Sequence, residues 1–434
     1  MANIGIIGSG IAGLQLGLTL QKYGVTTTIY AERTPEQQLG RPLSNLVCRN
    51  APTRARERQL RVNHWDSPIY DMVRLSLSVQ GPQTIAFSGQ LPAPAQLVDM
   101  RIYWARLLED FASRGGSVVM RTLQTSELDR LATQHDLVVV ASGRANLSTI
   151  FPRVPEHSPF TCPQRLVIGG LFRGIAYSEP RALEVVINPG HGEMIAAPIY
   201  SFEPNLTGIG ILINSGGAFE PLRHLKYADD PAAWVNAVLG VLREFGPSIY
   251  ERVDPDRFDL ARPLDLGYAA ITPTVRRGYA ELPSGRWVMA LGDAHVVMDP
   301  ITGQGANTAS HGARVLAEAI RDADRFDRPF CERVEREIAA YAIAVSDAAN
   351  ARLRPPLPHY RQLLGASAKH QALADMYGDG FDHPDRFWAI TSSPERTAAL
   401  LSEFDSRETV PALASWIFGS LSDDGEQPPR YAVG

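Results

Sequence analysis

Lysine and cysteine are both scarce in this chain of 434 residues, which holds three of each. Cys48, Cys162 and Cys331 lie far apart, with no Cys-x-x-Cys pair and no even framework. That pattern excludes a zinc ribbon and fits a reducing compartment. Basic residues hold no surplus: 42 Lys+Arg against 47 Asp+Glu give a formal charge of −5, so nucleic acid is not expected as a partner. No apolar run approaches the ~18 residues that a membrane span needs. The chain enters a strand directly after Met-Ala-Asn, which leaves no room for a signal peptide. A soluble cytoplasmic protein with no membrane partner is expected. Repeats and low-complexity tracts are lacking, and so are a credible catalytic triad, a metal-ligand spacing and a carboxylate pair. What remains is ordinary for a globular chain, with 44% hydrophobic and 21% charged residues. The length suggests two or three domains.

Periodicity sorts the chain into regions. Asn3 to Ile7 is a short β-branched run, as in a buried parallel strand. A helical pattern follows to about Tyr23, then a second strand from Thr26 to Ala31 and a further apolar run from Leu137 to Ala141. Residues 44–49 and 76–88 alternate like strands, and Arg101 to Ala112 reads as helix. Between Pro163 and Asn214, strand-like stretches broken by Gly and Pro suggest a mostly antiparallel sheet. Trp287 to Leu291 returns to a buried strand, and beyond Gly303 helical periodicity dominates, with long helices near 305–322 and 329–350. The last dozen residues read as a frayed tail.

Gly8-x-Gly10-x-x-Gly13 follows a strand and opens a helix, the context in which this motif binds a dinucleotide. The first glycine permits the tight turn, the second admits a pyrophosphate, and the third lets helix and sheet pack closely. The helix N-terminus adds its partial positive charge. Glu32 ends the second strand, where a carboxylate can bind an adenosine ribose. The motif alone does not choose between NAD and FAD. Far downstream, strand Val288–Leu291 runs into Gly292-Asp293, and then into Asp299-Pro300-Ile301-Thr302-Gly303-Gln304-Gly305-Ala306-Asn307. An NAD dehydrogenase has no need of this second contact, whereas a flavin extends well beyond its pyrophosphate. Asp293 can accept from ribityl hydroxyls. The helix that starts at the Gly-x-Gly segment can stabilise the negative charge of reduced flavin.

Together these residues resemble the para-hydroxybenzoate hydroxylase superfamily of flavoproteins. Within it the chain resembles the epoxidase component of two-component styrene and indole monooxygenases. The similarity runs over roughly residues 3–400. It includes Val98-Asp99-x-Arg101-x-Tyr103, Asn188-Pro189-Gly190-His191-Gly192-Glu193, Lys226-Tyr227-x-Asp229-Asp230-Pro231 and Pro384-x-Arg386-x-Trp388. The resemblance implies an α/β protein with a Rossmann-like FAD-binding domain over 1–160 and 270–325, interrupted by substrate-side strands near 44–95. It further implies a mainly β substrate domain over 161–269, a C-terminal helical region over 326–420 and a tail over 421–434. The adenine half of FAD would lie on Gly8, Ser9, Gly10, Ile11, Ala12 and Gly13, with Glu32 and Arg33. Arg101 would reach the pyrophosphate, although it also reads as a solvated helix residue. Asp293 would meet the ribityl region, and Pro300, Gly303, Gly305, Ala306 and Asn307 the isoalloxazine. Leu123 and Gly143 complete the expected cofactor-binding set. The family commonly has an arginine near Pro42; here it is Arg41, one place earlier, and its role stays open.

The resemblance also implies the chemistry. An NADH:flavin oxidoreductase would supply FAD already reduced, O2 would add at C4a, and the (hydro)peroxyflavin would epoxidise a hydrophobic aryl alkene or an indole-type double bond. Such chemistry needs no metal, nucleophile or acid–base residue; the protein excludes water and positions the alkene. His191, set between glycines, reads either as catalytic or as a structural histidine at a strand end. A homodimer is admitted. Two alternatives stand beside this reading: a self-sufficient NAD(P)H-dependent aromatic hydroxylase, and a non-catalytic flavin-binding module. The first often carries Asp-Gly where this chain has Ser142-Gly143. Flavin-dependent halogenases resemble the fold too, but their Trp-x-Trp-x-Ile-Pro segment is absent.

For the substrate pocket, alternation along Ser44–Arg49 puts Asn45, Val47 and Arg49 on one face, toward flavin and substrate, with Val47 as plain core the other reading. Styrene-type members show Asn, Val and His at these places and Tyr, His and Ser at three later ones. Indole-type members show Ser, Gln and Met, then Val or Ile, Ile and Ala. This chain has Asn45, Val47 and Arg49, then Met72, Leu75 and Ala95, a mixture of the two. Arg49 matches neither, and either binds a polar substituent or points to solvent. Ile301 joins the expected pocket from the Asp-Pro turn.

Overall fold

The computed structural model describes residues 2–143 and 146–405; the tail expected over 421–434 and the end of the expected helical region lie outside these. The strands, in chain order, are β1 (Asn3–Ile7), β2 (Thr26–Ala31), β3 (Leu46–Arg49), β4 (Met72–Val79), β5 (Ile85–Asp99), β6 (Ser117–Met120) and β7 (Leu137–Val140). There follow β8 (Arg165–Arg173), β9 (Ala182–Asn188), β10 (Gly192–Tyr200), β11 (Leu206–Asn214), β12 (Asp259–Leu260) and β13 (Leu266–Ala270). The set closes with β14 (Thr274–Val275), β15 (Tyr279–Glu281), β16 (Trp287–Ala290) and β17 (Val296–Val297).

One sheet has six strands in the order β15-β16-β7-β1-β2-β6. All but β15 run parallel. Its central β7 is buried at every residue, which is why Leu137–Val140 is uninterrupted apolar sequence. The helices Ile11–Lys22 and Gly305–Arg321 pack against one another beside this sheet. The parallel alignment brings the carboxyl ends of β1, β7 and β16 to one edge, where open α/β sheets bind their ligands.

A second sheet of nine strands runs β12-β8-β11-β10-β9-β4-β5-β3, with β13 also on β8. Its middle is antiparallel, as the Gly- and Pro-broken stretches suggest. Strands β3, β4 and β5, which precede the return of the chain to the first sheet, are part of it, and β4 joins β9 in parallel. The alternation read over 76–88 is two strands, β4 and β5, turned at Gly81–Gln83. Their register slips between Met72 and Arg74, opposite the segment holding Pro92 and Pro94. Proline has no N–H for the ladder, so pairing breaks there.

Helices Arg328–Arg352, Pro358–Ser367, Gln371–Asp379, Pro384–Thr391 and Pro394–Asp405 form the C-terminal cover. Helix Gln371–Asp379 lies on β5 at Gly89, where any Cβ would overlap the Ala374 carbonyl. No helix among the described residues is long and apolar enough to cross a membrane.

Candidate flavin and substrate site

The dinucleotide end is built from backbone. Gly8 has φ of 113°, and a Cβ there would press on Ala141. A Cβ at Gly13 would collide with the Gly8 carbonyl, so this glycine sets the closeness of helix and turn. Gly10 differs: its φ of −80° suits any residue, and a Cβ would meet only the Ala141 oxygen at 3.9 Å. The fold gives no reason for glycine there, and an approaching pyrophosphate does. Ser9 precedes it in the turn, and Ile11 and Ala12 are buried in the first helical turn, whose N-terminus no side chain caps. Unsatisfied N–H groups there suit a diphosphate.

Glu32 and Arg33 follow β2 and pair at 3.4 Å on the surface. Arg41 sits beside them, its guanidinium held below its ordinary pKa by burial and by Arg33. Gly143 (φ of 66°) follows β7 and faces Asp293, which follows β16, with room for a Cβ only 3.3 Å from the aspartate's own. Leu123, by contrast, packs with Ile7 and Leu128 in the core.

Arg101 does not reach this groove. It is 2% exposed and all five of its N–H groups are used within the protein. Asp99 accepts three bonds from Arg101 at 2.6–3.0 Å, two from its side chain and one from its backbone N–H. Asp265 accepts at 2.5 Å, and the carbonyls of Arg41 and Leu264 at 3.1 and 2.9 Å. Arg101 therefore fastens the segment carrying Arg41 rather than offering its own charge.

At the flavin turn, Asp299 accepts from the Ile301 N–H at 3.0 Å and starts the tight turn Pro300–Thr302, which ends at Gly303 with φ of 63°. Arg165 grips both Asp299 oxygens, at 3.0 and 2.7 Å, and faces Glu193 at 3.1 Å. Burial pushes the Glu193 carboxyl above its ordinary range, against the pull of Arg165. The helix Gly305–Arg321 begins without a side-chain cap, and a Cβ on Gly305 would meet open space. Gln304 is turned away, donating to the Phe381 carbonyl at 2.8 Å. Ala306 packs against the core of the first sheet. Asn307 is 1% exposed and ties elements together: it accepts from Asn50 N–H and Thr53 Oγ1 and donates to Gly303 and Gln304. Gly10 and Gly305 are thus two open positions at two uncapped helix N-termini, donors whose chemistry fits the anionic groups of FAD.

Beside the turn lies a cavity of about 120 Å³, lined by Leu43–Leu46, Cys48, Leu97, Val167, Ile195, Tyr268 and Pro300–Gly303. Its floor includes Gly210, Gly169 and Gly267, which stand side by side across β11, β8 and β13. A Cβ at Gly169 would meet nothing within 4 Å. Glycine in a strand interior marks a place where something flat comes close, the signal by which the sequence could have revealed this wall. Burial pushes the Cys48 thiol up to about 12, so it stays neutral.

Of the expected pocket residues, Asn45 and Ile301 line this cavity. Leu75 and Ile301 line a larger one of about 640 Å³ under the C-terminal helices. The others do not line either. The alternation of β3 is as read, but its direction is reversed: Leu46 and Cys48 face the cavity, while Val47 is wholly buried in the core beside Val98. Arg49 is likewise 0% exposed, neither at solvent nor on the wall of either cavity. It donates to Glu57 at 2.7 Å and to Gln96 at 2.9 Å, and lies 5.4 Å from the Trp65 ring. Glu57 also accepts from Tyr103, which accepts from Gln15 of the first helix. Met72 and Ala95 face each other across β4 and β5, fully buried. His191 sits in the β9–β10 turn, where its Nδ1 accepts from the Ala218 N–H at 3.2 Å, a structural role.

The solved structure of flavin-dependent brominase Bmp2 superposes with a TM-score of 0.63 at 15% identity, covering 93% of this chain and 99% of that one. The fold is therefore the one used by flavin-dependent hydroxylases and halogenases, with a C-terminal helical cover. The family model described as "Styrene monooxygenase A putative substrate binding domain" matches residues 143–252, the stretch that holds β8 to β11. Styrene monooxygenase StyA from a Pseudomonas species and its counterpart from Pseudomonas fluorescens are each 37% identical over 405 residues, covering 92% of this chain and 98% of theirs. The chain belongs to the styrene monooxygenase family, FAD-dependent enzymes that use O2 as oxidant.

Proposed function

We propose that this chain is the oxygenase of a two-component system that epoxidises an aryl alkene or the double bond of an indole ring, using FAD reduced by a separate NADH:flavin oxidoreductase. The observation that carries this is the apolar, glycine-floored cavity set against Ile301–Gly303, with no carboxylate, histidine or lysine among its lining residues. Bound and reduced, FAD supplies with O2 an electrophilic oxygen; one atom joins the alkene carbons and the other leaves as water. The protein's part is placement and exclusion of water. The N-terminus of helix Gly305–Arg321 stabilises the negative charge of the reduced ring. The Arg165–Asp299 clamp holds the turn that carries this end. Gly169 and Gly210 leave space for a planar ring. Asn45 already accepts from the Leu46 N–H through Oδ1, which leaves its Nδ2 to donate at the cavity rim.

The test is a panel of styrene, indole and bulkier vinyl or indolyl compounds, with FAD reduced by an added reductase. Epoxide or oxidised indole is expected, together with no bleaching of bound FAD when NADH is added anaerobically without the reductase. Rapid bleaching by NADH alone would move the enzyme to the self-sufficient hydroxylases.

A further inference from the structure

The larger cavity has a feature that alkene oxygenation does not use. One wall is apolar sheet, with Leu77 and Val185, and the opposite side is closed by the C-terminal helices, with Trp388. Among these side chains stands Arg352, the last residue of helix Arg328–Arg352. Its hydrogen-bond partners among the described residues are all neutral. Nη1 donates to the Ala348 carbonyl at 2.7 Å and Nη2 to the Tyr360 hydroxyl at 3.4 Å. The guanidinium also lies 5.6 Å from the centre of the Tyr360 ring. The Tyr360 hydroxyl is shared in turn with Tyr377 at 2.6 Å, so it has little left to give. Arg165, on the same cavity wall, is gripped by two carboxylates. Arg352 has none.

An arginine keeps its charge when enclosed, and a cation taken from water without an opposite charge is costly. The bond to Ala348 caps a helix end, and with the one to Tyr360 it occupies two of five N–H groups. The fork that remains suits a carboxylate. The cavity also reaches the chemistry. It shares Leu183, Val185, Ile301 and Thr302 with the smaller cavity at the flavin turn, and helix Arg328–Arg352 packs against that turn.

We infer that the larger cavity binds an aryl or indolyl compound bearing a carboxylate, with the acid at Arg352 and the ring toward Ile301. This rests on the oxygenase reading and names the substrate class: an anionic aryl alkene or indole rather than a bare hydrocarbon.

Binding can be read without turnover, because Trp388 lines the cavity. The protein is titrated with 4-vinylbenzoate and with its methyl ester, following tryptophan emission, with Trp388→Phe as the control that the signal arises there. A charge-assisted fork should favour the acid over the ester by about tenfold or more. Arg352→Gln should remove that preference, and Arg352→Lys should restore part of it. With reduced FAD supplied, the KM for the acid should rise by about tenfold in Arg352→Gln, as expected when binding common to ground and transition states is lost. Equal affinity for acid and ester in the wild-type protein overturns the inference, whatever the variants do. So does a preference that survives in a folded Arg352→Gln protein. Tight acid binding without oxygenation of any panel compound would instead sink the oxygenase reading and leave the ligand site standing.

Discussion

Gly10 and Gly13 lie three residues apart in one turn, yet the structure requires glycine at them for different reasons. At Gly13 the requirement is internal, since a side chain would strike the Gly8 carbonyl. At Gly10 it is external, since only a ligand would be struck. Gly10→Val should therefore keep the parental melting temperature and lose FAD binding, while Gly13→Val should not accumulate as folded protein. Calorimetry and flavin titration on both variants check this, and retained FAD affinity in Gly10→Val would remove the pyrophosphate from this turn. Arg49 makes the opposite case. Removing it strands Glu57 as a buried, uncompensated charge, for which the usual cost is about 3–5 kcal/mol. Arg49→Ala should thus appear as a large drop in the urea midpoint, not as a KM change confined to substrates with a polar group. The alternation of Leu46–Arg49 was legible from the residues. Which face meets the cavity was not, because that is fixed by β3 pairing with β5, whose partner residues lie about 50 positions away.

At the scale of elements, the flavin turn is steadied from two sides. Arg165 on β8 holds Asp299. On the other side, the loop after helix Gln371–Asp379 takes bonds from Asn50 and Gln304 on the Phe381 carbonyl, at 3.3 and 2.8 Å. Next to it, Asp382 accepts from the Ala51 N–H at 3.0 Å. Burial pushes the Asp382 carboxyl up to about 6, against a lesser pull from that N–H and from His383. A carboxyl raised on folding favours the native state most when protonated. Its contribution is complete below the unfolded value near 3.8 and is lost as pH rises through about 6. Relative to Asp382→Asn, the wild-type protein should lose stability on the order of 3 kcal/mol between pH 4 and pH 8, at 1.36 kcal/mol per unit of pKa. Urea unfolding of both proteins across that range measures the difference. Parallel pH curves would mean that Asp382 titrates normally. None of this could be read from the sequence, since Asp382 gains its setting from β3 and the helix after it, over 300 residues upstream.

For the whole molecule, legibility follows how local each signal is. The parallel sheet could be read, because strands buried on both faces are continuous apolar runs and its glycine turns carry a motif. The union of β3–β5 with β8–β13 in one sheet could not, because pairing between distant strands leaves no local trace. Yet that union places Leu43–Asn45, the glycine floor and Ile301 around one cavity. In the proposed reaction this cavity directs an oxygen atom from O2 onto an alkene. A single turnover under 18O2 with styrene and stoichiometric reduced FAD, with mass analysis of the product, decides whether it does. Styrene oxide bearing one 18O atom, formed as FAD is reoxidised, is the expected product. Reoxidation that yields hydrogen peroxide and leaves the styrene untouched would contradict the proposed reaction.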